Sequence, residues 1–375
     1  MAALTALGAG QFETRFAGWP AVWARALLAA LAVLVIYGIA VGIPPEALPA
    51  PAEAADALPN DSDLRLYRAI AGRVAAGEDY YAAAAAEQRS RGYPLKPFIT
   101  VRLPTLAYLV TTLGPETALF LLRGLGLLAL GILALRLRKI LPTGPLWVLC
   151  LWAAAVGAAP AQLLKLVPLH EAWAALLLVL SLVLRRPGRY GLSLALGFAA
   201  FAVRELALPY LFVMAVLAWR DGERREMLAW MAAILAAAAV LGAHALMVGG
   251  VVTHSDGVSP GWTRVEGWPL ILAMVGGYSL LLLLPSPLVG VLVPLCLLGW
   301  VGWRHPLAER AALTLCGYAC AFMIVGRLDT AYWGVLIAPL FLTGLALAPA
   351  ALRDLWQAAG LRSTSQTSSV TLSPS

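Results

Sequence analysis

Runs of about twenty apolar residues recur along this chain, and they limit its possible folds more than any other feature. Residues 22–43 and 227–248 are clear examples, and each is long enough to form a helix that crosses a bilayer. The chain of 375 residues is 61% hydrophobic and only 13% charged, with a mean hydropathy of +0.81. Such values lie outside the range of soluble proteins. The sequence therefore predicts an all-α polytopic integral membrane protein.

The distribution of basic residues predicts how the chain is oriented. The net charge is +7, and Lys and Arg stand mainly at the ends of apolar runs, as in the cytoplasmic loops of membrane proteins. This charge needs no nucleic-acid partner. The four cysteines all lie inside apolar segments, which indicates neither a disulfide framework nor a metal cluster. We expect a multi-pass protein of a bacterial inner (plasma) membrane, with both termini in the cytoplasm.

The apolar segments divide the chain into one large domain and a short tail. We predict a single transmembrane domain over residues 1–360, with about ten membrane helices. Residues 44–115 would form an extracytoplasmic loop that contains amphipathic and juxtamembrane helices. Residues 361–375 are rich in Ser and Thr and are predicted to be a disordered cytoplasmic tail.

Residues 190–219 allow two interpretations. They could form one long helix with Arg204 and Glu205 near its middle, or a hairpin of two short helices with this pair at its tip. The basic residues that follow favour the hairpin, because both of its ends then face the cytoplasm. Helices of about thirteen residues are too short to cross a bilayer core of roughly 30 Å. The tip would then lie in a funnel below the outer surface.

Residues 60–104 form the only long polar passage inside the apolar chain. Asp61 and Asp63 stand at the start of a predicted helix there, and both are candidate catalytic carboxylates. Asp63 is placed to act as a general base that takes a proton from an acceptor hydroxyl. Helix capping is the other explanation, and it suits Asp61 well. We predict that this passage is the catalytic loop of an enzyme working at the membrane surface.

Further candidate residues lie at the outer ends of the apolar segments. Glu171 follows His170 at the head of an apolar helix, where a carboxylate is expensive unless it is functional or paired. The arginines could hold a lipid phosphate or form only local ion pairs, and the aromatic residues could stack on a sugar or form an interfacial belt. The candidate substrate-binding residues are Arg102, Lys165, His170, Arg204, Glu205, Arg327, Tyr80, Tyr81 and Tyr332.

Several short stretches resemble the C-type glycosyltransferase superfamily, polytopic enzymes that use lipid-linked sugar donors. The resemblance covers roughly residues 20–185. The stretch from Asp63 to Tyr67 lies where many members have an Asp-Glu motif with a Tyr four residues after the Asp; here Leu64 replaces the Glu. Further likenesses are Gly77-Glu78-Asp79-Tyr80-Tyr81, Tyr93-Pro94-Leu95-Lys96-Pro97, Arg102-Leu103-Pro104-Thr105 and Lys165-Leu166-Val167-Pro168-Leu169-His170-Glu171-Ala172, the last being similar to protein O-mannosyltransferase-like members.

The resemblance implies an inverting transfer of a sugar from a polyprenyl-phosphate donor. Asp63 would activate the acceptor hydroxyl, Glu171 would be a second acidic group, and basic residues would hold the phosphate. The acceptor, whether glycan, lipid or protein, is left open, as is the use of a divalent cation. Two other functions compete: a transporter or lipid flippase, and a non-catalytic subunit of an envelope-assembly complex.

Overall fold

A computed structural model describes residues 14–47, 61–141, 144–163 and 166–361. The predicted tail after Leu361 lies outside this described part, as do residue Lys165 and the side chain of Asp61. The described residues form fourteen α-helices. These are α1 Ala21–Val41, α2 Asp61–Ala75, α3 Tyr80–Ser90, α4 Thr105–Leu113, α5 Pro115–Ile140, α6 Gly144–Ala158, α7 His170–Leu184, α8 Gly191–Val203, α9 Leu208–Arg220, α10 Arg224–Val251, α11 Trp268–Leu272, α12 Ser286–Gly302, α13 Pro306–Ile324 and α14 Ala338–Ala358.

The prediction of an all-α membrane protein is confirmed. Five helices, α1, α5, α10, α13 and α14, are long and apolar enough to cross a membrane. The other apolar helices are shorter than the length that a full crossing requires. About ten membrane helices are predicted, and five of the described helices are long enough to cross a membrane. The other predicted membrane helices correspond to shorter ones, such as α7 and α8.

The region between residues 190 and 219 is a hairpin rather than one long helix. Helix α8 ends at Val203, Arg204 adopts an extended conformation, and a short 3₁₀ turn leads into α9. Arg185, just before the hairpin, and Asp221, just after it, line the same cavity, so both ends of the hairpin face the same way. The tip therefore carries Arg204 and Glu205 away from that end of the bundle.

Helices α2 and α3 of the polar passage and helix α4, which follows it, pack together around a small core of their own. Leu66, Ile70 and Tyr80 are buried in this core, and Val248 of α10 joins them. A bidentate ion pair between Arg89 and Asp256, with N–O distances of 2.7 and 2.8 Å, fastens α3 to the loop after α10. The hydrogen bonds from Arg89 hold the pKa of Asp256 well below its usual range, so the pair stays charged at neutral pH.

The segment before the last helix differs from its expected form. The pattern of apolar residues predicts one membrane helix over 332–347, whereas the structure has a 3₁₀ helix at Leu328–Leu336 followed by α14, which continues to Ala358. Thr330 starts the tight turns, because its hydroxyl accepts a hydrogen bond from the Arg327 backbone N–H and donates to the Arg327 carbonyl. Tyr332 is thereby brought to the side of the polar passage.

Glycines allow helices α12 and α14 to pack in close contact. Helices α12 and α14 cross where Gly299 faces Gly344, and a Cβ atom on either glycine would overlap the opposing backbone. Small residues are the usual means by which membrane helices approach this closely.

Replacing Gly299 with alanine is therefore expected to destabilise the protein by about 1–3 kcal/mol, the range for overpacking. The change should appear as a lower unfolding midpoint in detergent. Gly317→Ala is the matched control, because no atom lies near the position of its added methyl group. Equal midpoints for the two variants would contradict the close packing of α12 on α14.

Candidate active site

Asp63, near the start of the polar passage, lies against the 3₁₀ helix Leu328–Leu336. It occupies the first turn of α2 and is partly exposed. Its Oδ1 accepts a hydrogen bond of 2.7 Å from the Tyr93 hydroxyl, and its Oδ2 accepts one of 3.0 Å from the Tyr332 hydroxyl. Two phenols from segments far apart in sequence therefore hold this carboxylate in one orientation.

Arg102 connects three segments to one another. Its Nε donates to the Tyr67 hydroxyl at 3.0 Å, and Nη2 donates to the Tyr332 hydroxyl at 3.3 Å. Nη1 donates to Oε1 of Glu205 at 3.2 Å. Because Tyr67 lies one helical turn after Asp63 on α2, both side chains reach the same region. The guanidinium group thus joins the Asp63 side of the site to the tip of the hairpin.

A buried ion-pair group completes the site. Arg204 is fully buried, and its Nε donates to Oε1 of Glu171 at 2.6 Å. Its Nη1 donates to Glu205, and its guanidinium carbon lies 5.7 Å from the ring centroid of Trp333. Burial makes such charges costly unless they pair, and Arg204 pairs with carboxylates on both sides. Glu171 and Asp63 are therefore linked by a continuous chain of hydrogen bonds.

The charges of this network do not cancel. Arg102 and Arg204 supply two positive charges, whereas Asp63, Glu171 and Glu205 supply three negative ones. The two glutamates each contact an arginine. Asp63 forms no ion pair among the described residues and is held by neutral hydroxyls only. Of the three carboxylates, Asp63 is thus the one that no described arginine contacts.

The phenols of Tyr67 and Tyr332 remain protonated at physiological pH. Burial raises the pKa of Tyr67 to about 12, and it also raises the pKa of Tyr332, with the charge of Asp63 adding to the effect. Tyr332 can therefore donate a hydrogen bond to Asp63 while it accepts one from Arg102.

Several buried polar atoms at the site have no partner among the described residues. They are Nη2 of Arg204, Oε2 of Glu205, Nδ1 of His170 and Nε1 of Trp333. Unpaired buried polar groups are uncommon and costly, and they cluster where a protein receives water or a polar ligand. The site is thus equipped with donors and an acceptor that its own side chains do not use.

An apolar groove of about 910 Å³ adjoins this polar network. Its walls come mainly from α2, α4 and the start of α5, with Ile70, Ala107 and Val110 among the apolar residues. Tyr67 and His170 line the groove as well, and their rings meet edge to face with centroids 5.0 Å apart. The two side chains stand between the groove and the charged network.

The remaining predicted site residues lie outside the network. Tyr80 is buried, and its hydroxyl donates a hydrogen bond of 2.7 Å to the backbone carbonyl of Arg102 rather than contacting the guanidinium group. The Tyr81 hydroxyl forms a hydrogen bond of 3.1 Å with Nδ1 of His244 on α10. Arg327 forms a bidentate pair with Asp329. Asp61 begins α2, but its side chain is not described, and Lys165 lies outside the described residues.

Three residues of the network, Tyr67, Tyr93 and Trp333, are not among the predicted site residues. Helical spacing predicts that Tyr67 lies on the apolar face of α2, and its separation of four residues from Asp63 is a signal that it belongs to the site. The sequence predicts a turn at Tyr93, and it allows Trp333 either to stack on a sugar ring or to join an interfacial aromatic belt. No local pattern reveals the contacts of Tyr93 and Trp333, because they depend on distant segments. No group of three metal-ligating side chains occurs within the described ranges.

No protein-family model matches the sequence, and no curated protein or solved structure has significant similarity to it. The function therefore has to be inferred from the site itself.

Proposed function

We propose that this protein is a membrane glycosyltransferase that moves a sugar from a polyprenyl-phosphate donor to an acceptor hydroxyl. The observation that carries the proposal is Asp63. It is a partly exposed carboxylate that has no ion-pair partner among the described residues and is oriented by two phenols, and Tyr67, one helical turn away, lines the large apolar groove. This combination suits a base that works on a substrate with a long hydrocarbon tail.

In the proposed reaction the acceptor oxygen attacks the anomeric carbon while the bond from that carbon to the phosphate oxygen breaks. Asp63 takes the proton of the acceptor hydroxyl, and the polyprenyl phosphate leaves with the bonding electron pair. Attack from the face opposite the leaving group inverts the anomeric configuration. The phosphate is already a good leaving group, so the protein mainly positions the partners and stabilises charge.

Arg204 and Glu171 support this reaction in different ways. Nη2 of Arg204 is a buried N–H donor that no described residue accepts from, and guanidinium groups bind phosphate well. Glu171, in contrast, already accepts the Nε–H of Arg204. We infer that Glu171 acts as a positioning residue for Arg204 rather than as a second acid or base. Arg327 could approach a headgroup only by sharing its guanidinium with Asp329.

The proposed orientation places the site on the extracytoplasmic face of a bacterial inner membrane, with about ten membrane helices and both termini in the cytoplasm. The start of α7 and the tip of the α8–α9 hairpin carry site residues, whereas the opposite ends carry Arg185, Arg186 and Arg220. This separation of basic clusters from the site favours the proposed orientation. A reporter fused after Arg220 should therefore give a cytoplasmic signal.

The function is tested by following the release of polyprenyl phosphate, which does not require the acceptor to be known. Purified protein in nanodiscs is incubated with polyprenyl-phosphate sugars of long and short chain, in the presence of a membrane extract as acceptor source. We expect release from a long-chain donor and transfer of its sugar with inverted configuration. Binding and transbilayer movement of the donor without release would instead identify a flippase.

The same assay tests the groove. Ala107→Trp would fill part of the groove. If two methylene groups of the donor chain can then no longer be buried there, binding weakens by about 1.6 kcal/mol, or roughly tenfold in affinity. We expect KM to rise about tenfold for the long-chain donor and to stay unchanged for a short-chain one. Thr112→Trp, on the exposed side of the same helix, is the control. An equal loss for both donors would mean that the groove does not hold the chain.

A further inference from the structure

A second cavity lies at the end of the bundle opposite the proposed active site. It has a volume of about 340 Å³ and is lined by the ends of α5, α7 and α9 and the starts of α10 and α13. Helix α7 begins at the site with His170 and ends beside this cavity. With 15 residues, it separates the two by about 22 Å, at about 1.5 Å per residue. This cavity is therefore not part of the proposed active site.

The cavity contains a buried arginine that its neighbours satisfy only in part. Arg310 is 1% exposed, with Nη2 donating to Oδ2 of Asp221 at 2.5 Å and Nη1 donating to the Pro306 carbonyl at 3.3 Å. Its Nε is buried and has no partner in the described part of the chain. A buried charged group with an unused N–H donor is costly unless a ligand or water accepts that hydrogen bond.

Arg136 on α5 adds a second unused donor. Its Nε is also buried without a partner, and the side chain forms no ion pair with any described residue. Nearby acids are occupied: Asp221 pairs with Arg220 and Arg310, and Glu309 pairs with Arg220. The positive charge of Arg136 is thus not neutralised by these two carboxylates.

His305 supplies a third donor. Its Nδ1 accepts a hydrogen bond of 3.1 Å from the Leu307 backbone N–H, so a neutral ring carries its proton on Nε2. The ring stacks on Trp303 with centroids 5.0 Å apart, which fixes its orientation. Burial, followed by the charge of Arg136, lowers the pKa of His305, and the ring is therefore neutral at physiological pH.

The charge of the cavity favours an anion. Arg185, Arg310 and Arg136 line it, with Arg15 and Arg220 bonded to its acids, and these five arginines face four carboxylates. Those carboxylates are Asp221, Glu223, Glu226 and Glu309. Glu223 lines the cavity without an ion pair among the described residues, so a bound anion must lie near the arginines and away from this carboxylate. The five arginines exceed the four carboxylates by one positive charge.

We propose that this cavity binds a phosphate group, carried either by an anionic lipid headgroup or by free phosphate. Guanidinium N–H groups and an imidazole N–H suit its oxygen atoms. The cavity lies at the ends of apolar helices, where lipid headgroups are found, and basic pockets between membrane helices are known headgroup sites. Its volume accommodates a headgroup rather than an acyl chain.

The test measures binding to the full-length purified protein and needs no transferase activity. The probes are sodium phosphate, with chloride at equal ionic strength as reference, and nanodiscs in which phosphatidylglycerol replaces phosphatidylcholine. Arg136→Gln removes the arginine that has no ion-pair partner in the described part of the chain, whereas Arg138→Gln changes an exposed arginine on the same helix. We expect the first variant to bind about 10- to 100-fold more weakly, the effect of one charged hydrogen bond, and the second to bind normally.

The outcomes separate the two sources of phosphate. Protection from unfolding by phosphatidylglycerol alone identifies a lipid headgroup, and protection by sodium phosphate as well identifies the phosphate group itself as the ligand. If Arg136→Gln fails to fold, Arg136→Lys keeps the charge but removes the Nε–H, and it should still weaken binding. The proposal is overturned if neither probe protects the wild type, or if the variants at residues 136 and 138 bind equally well.

Discussion

Asp63→Asn is expected to lower the rate of sugar transfer by about 10²- to 10⁴-fold, the usual contribution of a general base. An amide cannot take the proton of the acceptor hydroxyl, yet it matches the carboxylate in size. Its oxygen can still accept from Tyr93 or Tyr332, so the geometry around residue 63 is largely kept. The loss should therefore fall on kcat, with KM for the donor little changed. Release of polyprenyl phosphate under single-turnover conditions measures it.

Glu78→Gln is the matched control for this experiment. Glu78 lies in the same polar passage, is partly exposed, and pairs with Arg73 at 2.6 Å, away from the network. This variant should transfer sugar at the wild-type rate. If Asp63→Asn unfolds at the wild-type temperature and still transfers normally, Asp63 is not the base and the proposed mechanism fails.

The local part of the site could be predicted from the sequence. The start of α2 at Asp61, the spacing between Asp63 and Tyr67, and the break at Arg204 all follow from caps, helical periodicity and charged residues within apolar runs. These signals involve residues close together in the chain. They were sufficient to identify Asp63, Glu171 and Arg204 as candidates for one site.

The contacts that unite the site could not be predicted in this way. Tyr332 reaches Asp63 across 269 positions in the sequence, and Arg102 reaches Glu205 across 103. Such pairs depend on how the helices pack, which no short pattern encodes. The sequence alone does not distinguish Arg327 from Arg204, and in the structure Arg327 pairs locally with Asp329, whereas Arg204 also reaches Glu171, 33 positions away.

Arg204→Leu is expected to destabilise the protein by about 3–5 kcal/mol, the cost of removing one member of a buried ion pair. Glu171 would then keep a buried charge without a partner, because its hydrogen bond comes from Nε of Arg204. Unfolding of the purified protein in detergent, followed by circular dichroism, measures the loss. Arg225→Leu makes the same substitution on an exposed helix turn and should change stability by no more than about 0.5 kcal/mol.

A double-mutant cycle distinguishes a buried charge from a simple loss of packing. Adding Glu171→Leu to Arg204→Leu removes the stranded carboxylate, so the double variant should be more stable than Arg204→Leu alone. Additive stability losses would show that Arg204 and Glu171 are not energetically coupled.

Glu171→Gln keeps an acceptor for Arg204 and should retain most transfer activity, whereas replacing a catalytic acid or base at this position would lower the rate at least about a hundredfold. Loss of transfer by a normally folded Glu171→Gln would make Glu171 a catalytic group, because its acceptor contact with Arg204 would remain in place.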